Sequence, residues 1–382
     1  MSLTDFCSMW KGLFILLFLS GLLSTGLAQS SKHTATELLD KASGIASKDP
    51  EEAFRLVSAL IQDPKQAKDL GYARAQALRG DLLMGLGLYQ EALEPLYEAE
   101  TLFLALDCKT CLADTHNLLG QLYYRIKNPE SAIARHQKAL ELFTHLSDWH
   151  GIAESKGFLG GMYEKLGDYP LALAYQNESL AMFRSQGDHA DMAFVMENIG
   201  SIYEDLERFD SAYYYFDQAY LHNLSAGDST ALIGNLNNLG DVFRKSGNQD
   251  SALYYTQKAL DLSERLGKNY LKRSALVDLG KANALMGNYQ QAYDYLEQVR
   301  LLSEVIFSEE AAKQLAVKEA QYELNQKIAQ IEQLQQVNKA DIRIRWLLIF
   351  SLVVLVGLAL AMINRQKLKI RNSRALLDRQ QE

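Results

Sequence analysis

Proline is nearly missing from this sequence. Its five prolines all lie between Pro50 and Pro170, so more than half of the 382 residues lie in stretches where no proline interrupts a helix. Cysteine is equally scarce, and Cys7, Cys108 and Cys111 cannot frame a disulfide-built scaffold. Positive charge is in deficit. The net charge of -8 is the wrong sign for a body that neutralises phosphates, so no nucleic-acid partner is expected. Neither G-x-x-x-x-G-K-[ST] nor H-E-x-x-H occurs. The seven histidines show no metal-ligand spacing: His116 and His136 are out of phase, and His145 and His150 fall in or near a turn. No catalytic residue, cofactor or metal is expected, and the chain does not read as an enzyme.

The apolar fraction of 48% and the charged fraction of 23% supply a real core. Two apolar runs stand apart from it. Leu13 to Leu23 follows Lys11 and precedes Gly26 and Ala28, which suits a secretory signal peptide over residues 1–28 cleaved after Ala28. The second run, Trp346 to Ile363, has 18 residues and no charge. At 1.5 Å per residue it spans about 27 Å, close to a bilayer core, so residues 346–363 are expected to cross a membrane. Arg365, Lys367, Lys369, Arg371, Arg374 and Arg379 follow it, which places the basic tail 364–382 in the cytoplasm and the bulk of the chain outside, in a bacterial periplasm.

Between these runs a glycine recurs every 40 residues, at Gly80, Gly120, Gly160, Gly200, Gly240 and Gly280. An alanine follows each by twelve, from Ala92 to Ala292, and seven further on the residue is small at Ala99, Ala139, Ser179, Ala219 and Ala259. Tyr123, Tyr163, Tyr203 and Phe243 lie three after their glycines. Phase-locked copies of this kind predict a solenoid of antiparallel helix pairs, with small residues at the close approaches. Lys127-Asn128-Pro129, Gly167-Asp168-Tyr169-Pro170, Gly247-Asn248 and Gly287-Asn288 mark the turns. Pro95 sits deeper and is expected to bend its helix. The tyrosines, Tyr213-Tyr214-Tyr215 included, read as packing.

These residues resemble the tetratricopeptide repeat over residues 72–304, as six 40-residue units, with a degenerate capping repeat at 36–64. The resemblance implies an all-α, right-handed superhelix. The usual unit has about 34 residues. The longer one here is similar to a subclass of protein-binding adaptors that often carries Asn just before the glycine, as Asn117, Asn198, Asn237 and Asn238 do. By that resemblance these four face a concave groove, with Arg125, Lys165, Arg244 and Lys245 on its rim, and a protein or peptide is the expected ligand. The amides would either hold the ligand's backbone or bond neighbouring helices and water.

From 305 to 345 the pattern becomes one long helix. Val317, Ala320, Leu324, Ile328, Ile331 and Leu334 form a single stripe, which predicts a coiled-coil-like stalk and a homodimer through 315–342, the alternative being a lone helix packed on the end of the array. The order of segments looks like the sensory half of bacterial tetratricopeptide-repeat histidine kinases and of related membrane-bound regulators. A tail of 19 residues leaves no room for their output domain. The expectation is therefore a membrane-anchored sensor or adaptor. The alternatives are a sensory fragment or subunit of a split kinase and a passive envelope scaffold. Cys108-x-x-Cys111 remains open between a structural disulfide, an idle pair and a redox-sensing pair.

Overall fold

The repeat builds helices in pairs. The computed structural model describes residues 37–46, 48–61 and 69–380; the expected signal peptide lies outside them, as does part of the expected cap. Every regular element among the described residues is helical. Residues 37–45 (α1) and Pro50–Ile61 (α2) come first. The units follow as α3–α4 (Leu70–Gly85, Tyr89–Ala105), α5–α6 (Lys109–Arg125, Pro129–Leu146) and α7–α8 (Trp149–Lys165, Tyr169–Gln186). Then come α9–α10 (His189–Asp205, Phe209–Ala226), α11–α12 (Ser229–Lys245, Gln249–Arg265) and α13 (Asn269–Leu285), whose partner is the start of α14 (Tyr289–Gln380). Pro129 and Pro170 fall in the first turn of α6 and α8, where a missing N–H costs little. Pro95 is buried inside α4.

Local chemistry fixes both kinds of turn. From α3 onward each turn passes through one left-handed residue, either a glycine such as Gly167 (φ 77°) or a non-glycine residue such as Lys127 (φ 60°) and Glu207 (φ 57°). Asp148, Asp188 and Asp228 cap α7, α9 and α11 by accepting first-turn N–H bonds.

The recurring glycines explain the pairing. Each faces the residue sixteen further on, in the second helix of its own unit: Leu96, His136, Gln176, Phe216, Thr256 or Leu296. A Cβ on Gly200 would stand 2.6 Å from Phe216 Cε1, and one on Gly160 would stand 2.7 Å from Gln176 Nε2. Only the bare backbone lets the helices approach so closely. The alanines twelve after each glycine are buried, Ala92, Ala132, Ala172 and Ala212 fully so. Joints between units are sealed by Phe103, Phe143 and Phe183, then by polar residues at the same position, Asn223 and Ser263. Burying each phenylalanine contributes about 1.5–3 kcal/mol. The aromatics three after the glycine stack on the second helix, as Tyr163 on Tyr175 (5.6 Å), Tyr203 on Tyr215 (5.6 Å) and Phe243 on Tyr255 (5.4 Å), so these tyrosines are packing elements.

The chain divides into two units, ending and starting at Glu319 and Ala320. In the first, α14 begins as the partner of α13, with Val299 and Leu302 against the α13 core. Asn269 then donates to Glu309 (3.3 Å). Further along, the same helix meets the first repeat. Gln314 Nε2 donates to the Leu86 carbonyl at 3.1 Å, 228 residues away in sequence. Lys318 Nζ pairs with Glu91 at 3.3 Å. Val317 is 2% exposed, within the cluster that holds Phe54, Leu83 and Leu96. The array's last helix is thus fastened to its first pair. Val317, the first stripe residue of the expected stalk, belongs to this contact, so a paired seam would have to begin later. The second unit is the remainder of α14, through Gln380. It contains an 18-residue window of mean hydropathy 2.8 with none of it buried, long and apolar enough to cross a membrane by length and composition.

Candidate functional site

The first helices of successive units, α5, α7, α9, α11 and α13, lie side by side, and polar side chains stitch them together. Asn117 is 3% exposed. Its Nδ2 donates to Ser155 Oγ (3.1 Å) and Glu154 Oε2 (3.4 Å), and its Oδ1 accepts from His136 Nδ1 (3.0 Å). Glu197 repeats the stitch 80 residues on, accepting from Asn235 Nδ2 at 2.6 Å and Asn223 Nδ2 at 3.4 Å. Ser201 Oγ donates to Glu164 (3.0 Å), which also takes Lys165 Nζ (2.9 Å). Burial raises the carboxyls of Glu154 and Glu197 above the usual range, and the amide bonds pull against that shift. Glu204 is pushed up to about 7 by burial and by Asp241, with Lys245 Nζ bridging the two at 3.1 Å from each.

Asn237 occupies the repeat position of Asn117 but lacks that stitch. The residue 38 further on is Ser155 for Asn117 and Ala275 for Asn237, and the residue 19 further on is His136 for Asn117 and Thr256 for Asn237. Asn237 is 6% exposed, and its Oδ1 is buried with no hydrogen-bond partner among the described residues. It lines a cavity of about 550 Å³ with Asn238, Asp241, Arg273, Asp278 and Lys281. Arg244 and Lys245 stand one turn beyond, both already held by Asp241. Arg273 lies over the Tyr270 ring (4.7 Å). A second cavity of about 390 Å³ joins α5, α7 and α9 and is lined by Arg125, Phe158, Lys165, Phe194 and Asn198. Arg125 has no carboxylate within ion-pair distance among the described residues. The eight residues picked out by their spacing therefore part ways. Asn198, Arg125 and Lys165 share one cavity and Asn237 and Asn238 another, while Asn117 is turned into the helix packing.

Spacing missed His136, which is fully buried under Gly120 and stacked on Phe158 at 4.9 Å. Burial pulls its pKa down from 6.5 to about 3. The unfolded chain takes up this proton near pH 6.5 and the folded chain does not, so His136 lowers stability progressively as pH falls below 6.5. Gln fills the same position in the next unit. His136→Gln is therefore expected to gain on the wild type by up to about 1.4 kcal/mol per pH unit between pH 6 and 4. Urea unfolding at several pH values measures this, and parallel curves would refute it. At the first turns of α7 and α9, His150 Nε2 lies 3.0 Å from Asp191 Oδ2 and 4.0 Å from Asp188 Oδ2, a polar contact between helix ends.

A family model described as a tetratricopeptide repeat matches residues 69–145, 151–221 and 227–304. No curated protein matches the chain. Among solved structures, the apo form of RapI is 13% identical with a TM-score of 0.57, covering 72% of this chain and 99% of its own. A Rap protein complexed with Competence and Sporulation Factor is 14% identical with a TM-score of 0.57, covering 78% and 85%. A signal-transduction ATPase with a tetratricopeptide repeat sensor from Pyrococcus horikoshii is 15% identical with a TM-score of 0.56, and the chain spans 44% of its length. At these identities the likeness is one of fold.

Proposed function

We propose, from the premise that this chain belongs to the tetratricopeptide repeat family, that it is a non-catalytic binding protein whose inner face holds a protein or peptide segment. The observation that carries the reading is Asn237: a buried carboxamide oxygen without the histidine and serine that partner Asn117, on a residue that lines a cavity. An unpaired buried acceptor costs about 1–3 kcal/mol, so a ligand N–H that reaches it gains most of that back. The cavity of Asn198, Arg125 and Lys165 supplies a second contact, with Phe194 exposed for an apolar side chain. The Rap structure with a bound factor is a precedent for the fold.

We further propose that residues 346–363 anchor the protein in a membrane, with the repeats outside and the basic tail in the cytoplasm. The stretch after Glu319 then pairs with a second copy and passes a change in geometry to the tail. The uncharged window, the basic residues after it and the stripe from Ala320 to Leu334 support this.

Panning a random-peptide display library on the full chain in detergent tests the binding reading. The wild type is expected to enrich a peptide family. Asn237→Leu with Asn238→Leu is expected to weaken it by about tenfold or more, since one lost hydrogen bond is worth about 1.4 kcal/mol or tenfold. No enrichment, or enrichment insensitive to the pair, would sink it.

A further inference from the structure

The cysteine pair lies apart from the binding reading, at the first turn of α5. Cys108 is the N-cap residue, and its side chain makes no capping hydrogen bond. In α7, α9 and α11 the same position is an aspartate that accepts first-turn N–H groups. The end of α5 therefore offers backbone donors and helix-dipole potential to an anion that the neutral sulfur does not supply. Cys111 stands three residues on, joined to Cys108 by a disulfide with a Cα–Cα distance of 5.4 Å.

The turn itself does not need this bond. Asp107 is left-handed at φ 52°, as Ser147, Gly187 and Gly227 are at φ 55°, 73° and 74° in turns without cysteine. Neither sulfur is sealed in the core. Both cysteines are half-buried and line a cavity of about 680 Å³, walled by Leu39, Leu78, Phe103 and Leu118. Arg74 and Asp114 line the same space. Partial burial of the Asp114 carboxyl, with Asp148 nearby, raises its pKa above the ordinary carboxylate value.

We infer that Cys108–Cys111 is a redox-active disulfide that exchanges with thiols entering this cavity, with Cys108 as the reactive sulfur. An incoming thiolate attacks Cys108 Sγ and forms a mixed disulfide. The Cys108–Cys111 bond breaks, and its electron pair leaves with Cys111 as a thiolate, which takes a proton from the cavity. A second thiolate then attacks the substrate sulfur and releases Cys108. Two substrate thiolates become one disulfide, and the bound disulfide becomes a dithiol. The pair is left reduced, Cys111 as a thiol and Cys108 as a thiolate in the position of the missing aspartate. A thiolate held this way is a weaker base, so the Cys108 pKa should fall below the ordinary value of about 8.5.

The test uses the full chain in detergent with Cys7→Ser, equilibrated in glutathione buffers of graded potential and trapped by alkylation. The pair is expected to open and close reversibly at constant circular dichroism. Cys111→Ser is expected to capture glutathione on position 108, and Cys108→Ser to capture at least tenfold less on position 111. In the reduced protein, iodoacetamide should react with Cys108 with a midpoint at least one pH unit below 8.5. A parallel arm replaces glutathione with a reduced hexapeptide carrying one cysteine. The faster partner tells a small thiol from a peptide thiol, and reaction with neither overturns the inference. So does a disulfide that opens only when the protein unfolds, or an ordinary thiol titration. Cys108→Ser with Cys111→Ser should keep the wild-type melting profile, which separates loss of exchange from loss of fold.

Discussion

Gly200→Val is expected to destabilise the array by about 3 kcal/mol or more. The added Cβ would stand 2.6 Å, 2.7 Å and 3.0 Å from Cε1, Cδ1 and Cζ of Phe216. A flexible side chain could move aside, but a phenyl ring at 2% exposure has nowhere to go. Ala212 holds it on its own helix, and Leu239 and Val242 close the far side. The two helices must separate, which opens the joint to the next unit as well. Gly234→Ala is the control. It too is a helix-interior glycine, but nothing lies within 4 Å of its Cβ position, so helix propensity alone acts and predicts a gain of up to about 1 kcal/mol. Denaturation midpoints of the two variants should move in opposite directions. If both move the same way, the glycines are not there to admit the sixteenth residue.

The second large effect lies at the fastening of α14. Val317→Asp places a charge in an apolar cluster without a partner, a cost of about 3 kcal/mol, while the helix keeps its own backbone bonds. The helix is expected to leave the first repeat, breaking the Gln314 and Lys318 contacts with it. Amide exchange should accelerate by about a hundredfold across α3 and α4, since each 1.4 kcal/mol is tenfold, and stay unchanged in α9 to α11. Uniform protection would show that the contact contributes nothing. Lys318→Glu alone, at the exposed ion pair, should change little.

The helix pairs were legible because the small residues repeat in identity as well as position. The knobs opposite the glycines were not. Leu96, His136, Gln176, Phe216, Thr256 and Leu296 share no chemistry, only a distance from a glycine, and the buried His136 was hidden among them. Asn117 and Asn237 look alike in sequence and part through their neighbours, His136 and Ser155 for one and Thr256 and Ala275 for the other, a comparison that becomes meaningful once the packed helices are seen side by side. The return of α14 to the first repeat was out of reach. It depends on small rotations accumulated over every unit between Leu86 and Gln314, none of which leaves a mark on any one residue.

That return alters how the array comes apart. An open stack of repeats frays from its tips, each terminal unit peeling away at the cost of one interface. Here neither tip is free, because the first pair cannot loosen without surrendering Val317, and the last helix cannot lift without exposing Leu83 and Leu96. Linear zippers melt unit by unit. A strip whose ends are buckled together melts as a belt, holding until the buckle gives and then losing its ends together.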